Sequence, residues 1–304
     1  MTKAVTWQGV FPAVTTQFSS DLSLDLDATA RVIEALIGDG VAGLIVCGTV
    51  GEGTSLARPE KVTVMEMAAG VAKGRLPVIA GVAEYTTAFA IETAREAAKA
   101  GVDGIMVMPG MVYSAKPAET VAHFRGIAKA TDLPVMIYNN PPVYKNDVSP
   151  EMLAQLADCE TVVCFKESSG DTRRFTDLRN LVGDRFIMFA GLDDVIVESV
   201  LVGAQGWVSG MSNVFPREGE ALFRLAKARR IDEALKLNDW FMPLLHLDAR
   251  PDLVQCIKLC EQIAGRGSEL TRPPRMPLAG ADRAEVEALM AAAMATRPDL
   301  AGLL

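Results

Sequence analysis

The amino-acid sequence predicts an α/β fold, a (β/α)8 TIM barrel followed by a C-terminal helical extension. Short apolar and β-branched runs alternate with helical patterns eight times, about 20 to 35 residues apart. From about residue 216 the strand-like runs stop and only helical patterns follow. Eight strand–helix units suit a closed barrel better than an open doubly wound sheet. We therefore predict a barrel over residues 1–222 and a helical extension over residues 223–304 that packs on it.

Each predicted strand is a short apolar run, as in a parallel sheet that is covered on both faces. The runs lie at residues 9–15, 43–47, 77–82, 104–108, 133–138, 161–166, 186–190 and 206–209. The helices of the extension are predicted at residues 234–245, 253–263 and 283–295, with a stiff, proline-containing connector at residues 271–275.

Helix start and stop signals separate the predicted strands. Ser23 is predicted to cap the first helix, and Ser149 caps a later one that begins with a proline. Pro59 and Pro117 occupy first-turn positions, where a missing N–H is tolerated. Gly101 ends the third helix. These signals place a helix between consecutive strands, as right-handed βα units require.

Residues 38–43 match the dinucleotide-binding pattern GxGxxG, but their context is wrong for a phosphate site. They follow a predicted helix and precede a strand. Phosphate binding needs the reverse order, with a helix N-terminus that points at the ligand. We interpret these glycines as a helix stop and a turn.

Composition narrows the classes of function. The chain has 304 residues, 50% of them hydrophobic, and a net charge of −8. It can therefore bury a large core, and it lacks the basic surface that nucleic acid binding needs. No secretory leader and no apolar run of membrane-spanning length is visible. The five cysteines include no CxxC pair, so we interpret them as reduced core residues of a cytoplasmic protein. With only two histidines, no metal site is expected.

The run that ends in Lys166 is the most informative about function. Small polar residues follow it and mark the loop after the strand. In a (β/α)8 barrel the active site lies at this end of the strands. Burial there would disfavour the ammonium form of Lys166 and leave a nucleophilic amine. The alternative is a lysine whose side chain reaches solvent.

Further candidate residues follow the other predicted strands at the same end of the barrel. They are Thr49 and Val50 after the second strand, Tyr113 after the fourth, Tyr138 and Asn140 at the fifth, Gly191 after the seventh, and Val208 and Ser209 at the end of the eighth. An amine, a phenol and a hydroxyl at one mouth suit imine chemistry on a small keto or imino acid. Lys166 would form the Schiff base, Tyr138 would transfer protons, and the turn at Thr49 would bind the substrate carboxylate through backbone N–H groups. No metal or cofactor is needed for this chemistry.

Three ordered motifs carry a resemblance to a known superfamily. They are Gly-Thr-Val-Gly-Glu at residues 48–52, Tyr-Asn-Asn-Pro at residues 138–141 and Phe-Lys-Glu at residues 165–167. In this order and spacing the chain resembles the dihydrodipicolinate synthase and N-acetylneuraminate lyase superfamily, and the similarity extends to Asn213.

The resemblance implies roles for particular residues. It implies a Schiff-base lysine at Lys166, a proton-relay tyrosine at Tyr138 and a carboxylate-binding turn at Thr49 and Val50. It also implies a homotetramer built as a dimer of dimers.

Departures from the synthase pattern bear on the substrate. Val50 replaces the second threonine of the glycine-rich motif. Val143 stands where the synthase carries an arginine for the carboxylate of aspartate semialdehyde, so that substrate would lose its bidentate partner. The stretch after Tyr138 also lacks the polar groups that a sialic acid chain would need. The loop at residues 108–116 is longer than in the synthase, which leaves open whether Tyr113 acts as the second relay tyrosine across a subunit interface.

Residues 48–52, 111–113, 138–141 and 240–248 together are most similar to a narrower branch. It contains the 1-pyrroline-4-hydroxy-2-carboxylate deaminases of bacterial hydroxyproline breakdown. The resemblance implies a deaminase that forms α-ketoglutarate semialdehyde and ammonia. In that reaction the Tyr138 phenolate, or a water that it orients, would take the C3 proton.

Two alternatives stay open. One is a 2-keto-3-deoxy sugar acid aldolase or dehydratase, or a dihydrodipicolinate synthase-like lyase, that uses the same lysine. Sugar acids carry no nitrogen, so ammonia release separates them from the deaminase. The other is a barrel that binds a ligand without catalysis. A lysine adduct that forms but never turns over would indicate this alternative.

Overall fold

Eight parallel strands close into a barrel. The computed structural model describes residues 5–110 and 113–301; residues 1–4, the motif residues Met111 and Val112, and residues 302–304 lie outside the described part. The strands are β1 Gly9–Pro12, β2 Leu44–Val46, β3 Val78–Val82, β4 Gly104–Val107, β5 Val135–Asn139, β6 Val162–Glu167, β7 Ile187–Ala190 and β8 Gly206–Ser209. Neighbours in the sheet follow the order β1-β8-β7-β6-β5-β4-β3-β2. Val14 N donates to Ile45 O at 2.8 Å and closes the ring between β1 and β2. The predicted TIM barrel is confirmed.

Helices connect the strands on the outside and continue beyond the last strand. They are α1 Leu26–Gly38, α2 Arg58–Ala72, α3 Thr87–Ala100, α4 Pro117–Ala128, α5 Pro141–Tyr144, α6 Pro150–Ala154, α7 Arg173–Val182, α8 Ile196–Leu201, α9 Pro216–Lys227, α10 Ile231–Leu245, α11 Leu253–Ile263 and α12 Gly280–Ala295. The predicted helix stop and turn at residues 38–43 are confirmed, because α1 ends at Gly38 and Gly40 adopts a left-handed φ of 87°.

The N-cap of α1 differs from the prediction. The side chain of Asp25, not Ser23, accepts a hydrogen bond from Ala28 N at 2.8 Å. Ser23 instead donates its hydroxyl to Asp21. A cap must directly precede the first helical residue so that its side chain reaches the N–H groups of the first turn, and Ser23 lies too early.

The short helix α5 is not predicted by the sequence pattern. Two consecutive prolines indicate a loop, but proline also fits the first turn of a helix. The Asn140 side chain caps α5 by accepting from Val143 N at 3.2 Å. This turn of helix brings Tyr144 back towards the mouth of the barrel, where it contacts Tyr138.

The C-terminal helices pack on the barrel and are tied to it by a buried ion pair. Lys258 on α11 lies 2.8 Å from Glu52 in the loop after β2, and both side chains are fully buried. Lys258 also donates to Thr16 O at 2.8 Å. The division of the chain after residue 222 stays a prediction. Among the described residues, no helix is long and apolar enough to cross a membrane.

Candidate active site

A small cavity of about 30 Å³ lies at the C-terminal ends of the strands. Seven of the nine predicted site residues line it, namely Lys166, Tyr138, Thr49, Val50, Asn140, Gly191 and Val208. A larger hollow of about 1170 Å³ lies at the other end of the barrel, beside Trp7 and Thr161. The catalytic residues of TIM barrels come from the C-terminal ends of the strands, so the small cavity is the candidate site.

Tyr113 and Ser209 are not brought into this cavity. Tyr113 is 62% exposed in the single chain. Ser209 is buried, but its hydroxyl donates to Asp193 Oδ2 at 3.1 Å and accepts from Ser212 N. Successive side chains of a strand point to opposite faces, and Val208 is the residue of this pair that faces the cavity.

Lys166 is a buried amine at the end of β6. The residue is 5% exposed, and its Nζ lies 3.8 Å from the centroid of the Tyr138 ring. Burial lowers the pKa of Lys166 from 10.5 to about 8, against the negative charges of Asp248 and Asp193. A lysine with this pKa is partly neutral near pH 7 and can attack a carbonyl or imine carbon.

Gly191 makes room for the lysine side chain. A Cβ atom at this position would lie 2.6 Å from Lys166 Cε and 2.1 Å from Ser168 Oγ. Both distances are far below van der Waals contact. Glycine at the end of β7 therefore lets Lys166 extend into the cavity.

Tyr144 is a site residue that the sequence analysis missed. Its hydroxyl forms a hydrogen bond with Thr49 Oγ1, and its ring packs against the ring of Tyr138. The rings of the two tyrosines meet edge to face, with centroids 5.6 Å apart. Tyr138 also accepts from Asn140 Nδ2 at 2.9 Å. Successive contacts thus link Thr49, Tyr144 and Tyr138 into a hydroxyl chain, three hydroxyl-bearing side chains that end beside Lys166.

The two phenols are neutral groups in this environment. Burial raises the pKa of Tyr138 to about 12, although the hydrogen bond from Asn140 opposes this effect. Burial likewise raises the pKa of Tyr144 well above its usual value. A phenolate base at neutral pH is therefore disfavoured, and the arrangement suits passage of protons between hydroxyl groups.

The turn after β2 offers backbone donors to the cavity. Gly53 N donates to Gly48 O at 3.0 Å and closes the turn. Within residues 5–110 and 113–301, the N–H groups of Thr49 and Val50 donate to no protein acceptor. Free N–H groups in a turn form a concave site for an anion such as a carboxylate.

Two carboxylates lie close to Lys166. Asp193 is buried and accepts from Trp207 Nε1 at 2.9 Å and from Met211 N at 2.9 Å. Burial raises the pKa of Asp193 to about 6. Asp248 lines the cavity from the 3₁₀ helix His246–Ala249, and burial raises its pKa well above the usual value. Asp248 lies in the motif at residues 240–248, but nothing in the sequence indicates where the side chains of this motif point.

Comparison with known proteins identifies relatives over almost the whole chain. A sequence model of the Dihydrodipicolinate synthetase family matches residues 6–293. A 4-hydroxy-tetrahydrodipicolinate synthase from Exiguobacterium sibiricum is 36% identical over 239 residues, 79% of this chain and 82% of that protein. The protein of the same name from Methanosarcina barkeri is 33% identical over 276 residues, 90% of this chain and 93% of that protein.

Solved structures show the same architecture. The dihydrodipicolinate synthase of Aquifex aeolicus superposes with a TM-score of 0.90 at 26% identity, over 94% of this chain and 97% of that chain. A prophage protein of the dihydrodipicolinic acid synthase family from E. coli K12, solved in complex with pyruvate, superposes with a TM-score of 0.89 at 26% identity, over 95% of this chain and 99% of that chain.

Proposed function

The chain belongs to the dihydrodipicolinate synthetase family, and from this premise we propose that it is a Schiff-base deaminase. Its substrate would be 1-pyrroline-4-hydroxy-2-carboxylate, and its products α-ketoglutarate semialdehyde and ammonia. The observation that carries the proposal is the buried, partly neutral amine of Lys166 beside the Tyr138–Tyr144–Thr49 chain. Val143 supports a substrate with one carboxylate, because a valine stands at the position where the resemblance implies an arginine for a second. Arg275 lines the same hollow as Val143 but comes from the C-terminal connector.

The first half of the reaction opens the ring on Lys166. The neutral amine attacks C2 of the cyclic imine, and the C2–N bond to the ring nitrogen breaks. This leaves a lysine Schiff base at C2 and an amine on C5. The N–H groups of Thr49 and Val50 bind the carboxylate, and the hydroxyl chain returns protons through Tyr138 to the reacting nitrogen atoms.

The second half removes water and then ammonia. The protonated Schiff base draws electrons from C3, so a C3 proton leaves and the enamine expels the C4 hydroxyl as water. Because the pKa of Tyr138 is raised, a water that it orients is the better base than its phenolate. Tautomerisation places a C=N bond at C5, where one water releases ammonia. A second water hydrolyses the Schiff base and frees Lys166.

The test measures ammonia release and the lysine adduct in parallel samples. Purified protein is mixed with 1-pyrroline-4-hydroxy-2-carboxylate, ammonia is measured, and a parallel sample is trapped with borohydride for peptide mapping. We expect ammonia and an adduct on Lys166. Lys166→Ala should abolish both, and Lys129→Ala, which removes an exposed lysine, should change neither. Ammonia release by Lys166→Ala would contradict the mechanism.

A second candidate is favoured by the names of the relatives. Both curated relatives described above are called 4-hydroxy-tetrahydrodipicolinate synthase, an enzyme that would use the same lysine to condense pyruvate with aspartate semialdehyde. The same experiment includes this substrate pair. If the protein condenses this pair but releases no ammonia from the pyrroline, the Schiff base at Lys166 stays in the proposal. The proposed activity is then that of the synthase and not of the deaminase.

Assembly and location belong to the same proposal. We propose a homotetramer, as the resemblance implies, with the exposed ring of Tyr113 available to a neighbouring subunit. The mass of the protein in solution, measured by light scattering, tests the tetramer.

All five cysteines are free and buried, which supports a cytoplasmic enzyme with reduced thiols.

A further inference from the structure

Asp248 places a carboxylate in the cavity that takes no part in the bond-forming and bond-breaking steps proposed at Lys166. We infer that Asp248 determines specificity by the charge at the far end of the substrate, where it accepts hydrogen bonds from an amine or hydroxyl and disfavours a second carboxylate. The inference rests on the proposed Schiff base at Lys166 and deepens it. It does not depend on which group leaves the substrate afterwards.

The position of Asp248 is held from several sides. Its neighbour Leu247 is buried, and His246 Nδ1 lies 2.9 Å from Asp194 Oδ2 in the loop after β7. On the barrel side, a Cβ atom at position 210 would lie 2.3 Å from Asp248 Oδ1. Gly210 therefore provides the space that the carboxylate occupies at the end of β8.

The two nearby carboxylates are not equivalent. Asp193 is surrounded by donors, among them Trp207 Nε1 and Met211 N. Within the described part of the chain, no side chain donates a hydrogen bond to Asp248, and the backbone N–H of Asp193 and the charge of Lys166 favour its ionised form. Its carboxylate faces the cavity as an acceptor, and a ligand with a donor can satisfy it.

The shape of the site directs a substrate towards Asp248. A second hollow of about 200 Å³, beside Val143 and Arg275, shares Thr49 with the cavity. Tyr144, which is hydrogen-bonded to Thr49, lines only this outer hollow, and Asp248 lines only the cavity. A substrate attached to Lys166 with its carboxylate at Thr49 can therefore extend its remaining carbons towards Asp248 within the same cavity.

The negative charges beside the cavity favour a substrate whose far end is cationic. Burial and the charge of Asp193 raise the pKa of Asp248, so a nearby cation would stabilise its ionised form and another anion would destabilise it. Opening of a pyrroline ring on Lys166 produces a primary amine at C5, which is protonated at neutral pH because its pKa is about 10. An ammonium group then faces Asp248.

The test compares three five-carbon acids that Lys166 can bind at C2. They are 1-pyrroline-2-carboxylate, which opens to an ammonium tail, 2-oxovalerate with a neutral tail, and 2-oxoglutarate with a carboxylate tail. Adducts are trapped with borohydride over a range of concentrations, and intact mass gives the half-saturating concentration of each acid. The 4-hydroxy-pyrroline is assayed in parallel for ammonia.

We expect the affinity of the wild type to be highest for the acid with the ammonium tail, lower for the neutral tail and lowest for the carboxylate tail. The half-saturating concentration should differ by about tenfold or more at each step. Asp248→Asn should reduce the ratio between the first and last acids by about tenfold or more. The ratio cancels any change in the reactivity of Lys166 itself. Asp239→Asn, which removes an exposed carboxylate from α10, should leave the ranking unchanged.

Two results would overturn the inference. One is a wild-type protein that traps the three acids with equal affinity, a result that needs no variant to fold. The other is an Asp248→Asn protein that forms the 2-oxovalerate adduct yet keeps the wild-type ranking. The proposed function fails separately, if the ranking is found but the 4-hydroxy-pyrroline releases no ammonia.

Discussion

The pH at which Lys166 becomes reactive should be lower than for an exposed lysine, because Lys166 is buried. The folded protein lowers the pKa of Lys166 from 10.5 to about 8. At pH 7 a pKa of 8 leaves about 9% of the lysine neutral, whereas the ordinary value leaves about 0.03%. The structure therefore predicts a gain of about 300-fold in nucleophilic amine at neutral pH.

The assay measures the initial rate of pyruvate adduct formation from pH 6 to pH 10. Cyanoborohydride traps the adduct at a concentration above which the rate no longer rises, and peptide mapping assigns the label to Lys166. We expect a tenfold rise from pH 6 to pH 7, a break near pH 8 and a plateau above it. A rate that keeps rising tenfold per pH unit up to pH 10 would refute the reasoning, because Lys166 would then titrate like an exposed lysine.

The charge of Asp248 gives the same assay a second test. Asp248 and Asp193 oppose the effect of burial and hold the pKa of Lys166 up. Asp248→Asn should therefore move the break to lower pH, and the adduct should form faster than in the wild type at pH 6 to 7. A break that moves to higher pH would show that Asp248 does not act on Lys166 through its charge.

Three further substitutions test the site. Tyr144→Phe removes the hydroxyl that binds Thr49 beside Tyr138, so turnover should fall by about 10²- to 10³-fold while the pyruvate adduct on Lys166 still forms. Loss of both turnover and adduct would indicate misfolding instead. Gly191→Ala places a methyl group 2.6 Å from Lys166 Cε, so adduct formation should slow by at least tenfold at an unchanged circular dichroism spectrum. Lys166→Met should raise the free energy of unfolding at pH 7 by up to about 3 kcal/mol, because the folded state disfavours the charged lysine. Between pH 8 and 10.5 the unfolded wild type binds more protons than the folded state, so wild-type stability rises there and the difference in urea denaturation should shrink; a constant difference would contradict this origin.

The barrel and its lysine could be predicted from the sequence because both depend on local patterns. Strands buried on two faces leave short apolar runs, and the polar residue that ends such a run lies at the mouth of a parallel barrel. Lys166 and Tyr138 are of this kind. Ser209 shows the limit of this reasoning, since a shift of one residue along a strand turns a side chain to the opposite face. Val208 faces the cavity and Ser209 holds Asp193 instead.

Tyr144 and Asp248 could not be placed from the sequence because tertiary packing positions them. Tyr144 follows two prolines that indicate a loop, and only the short helix α5 brings it back to Thr49. Asp248 belongs to the C-terminal helices, 82 residues after Lys166. No periodic pattern reports which part of an added helical segment reaches the mouth of the barrel.

The C-terminal helices are therefore part of the site as well as of the scaffold. Asp248 and Leu253 line the cavity with the strand-end residues. Lys258 on α11 holds Glu52, which has a left-handed φ of 52° in the turn that presents Thr49. Loss of one partner of a fully buried ion pair leaves an uncompensated charge and costs about 3 to 5 kcal/mol. The C-terminal helices thus support both the turn that would bind the substrate carboxylate and Asp248, which would contact the opposite end of the substrate. A change in the packing of these helices can therefore alter the substrate preference of the site without a change at Lys166.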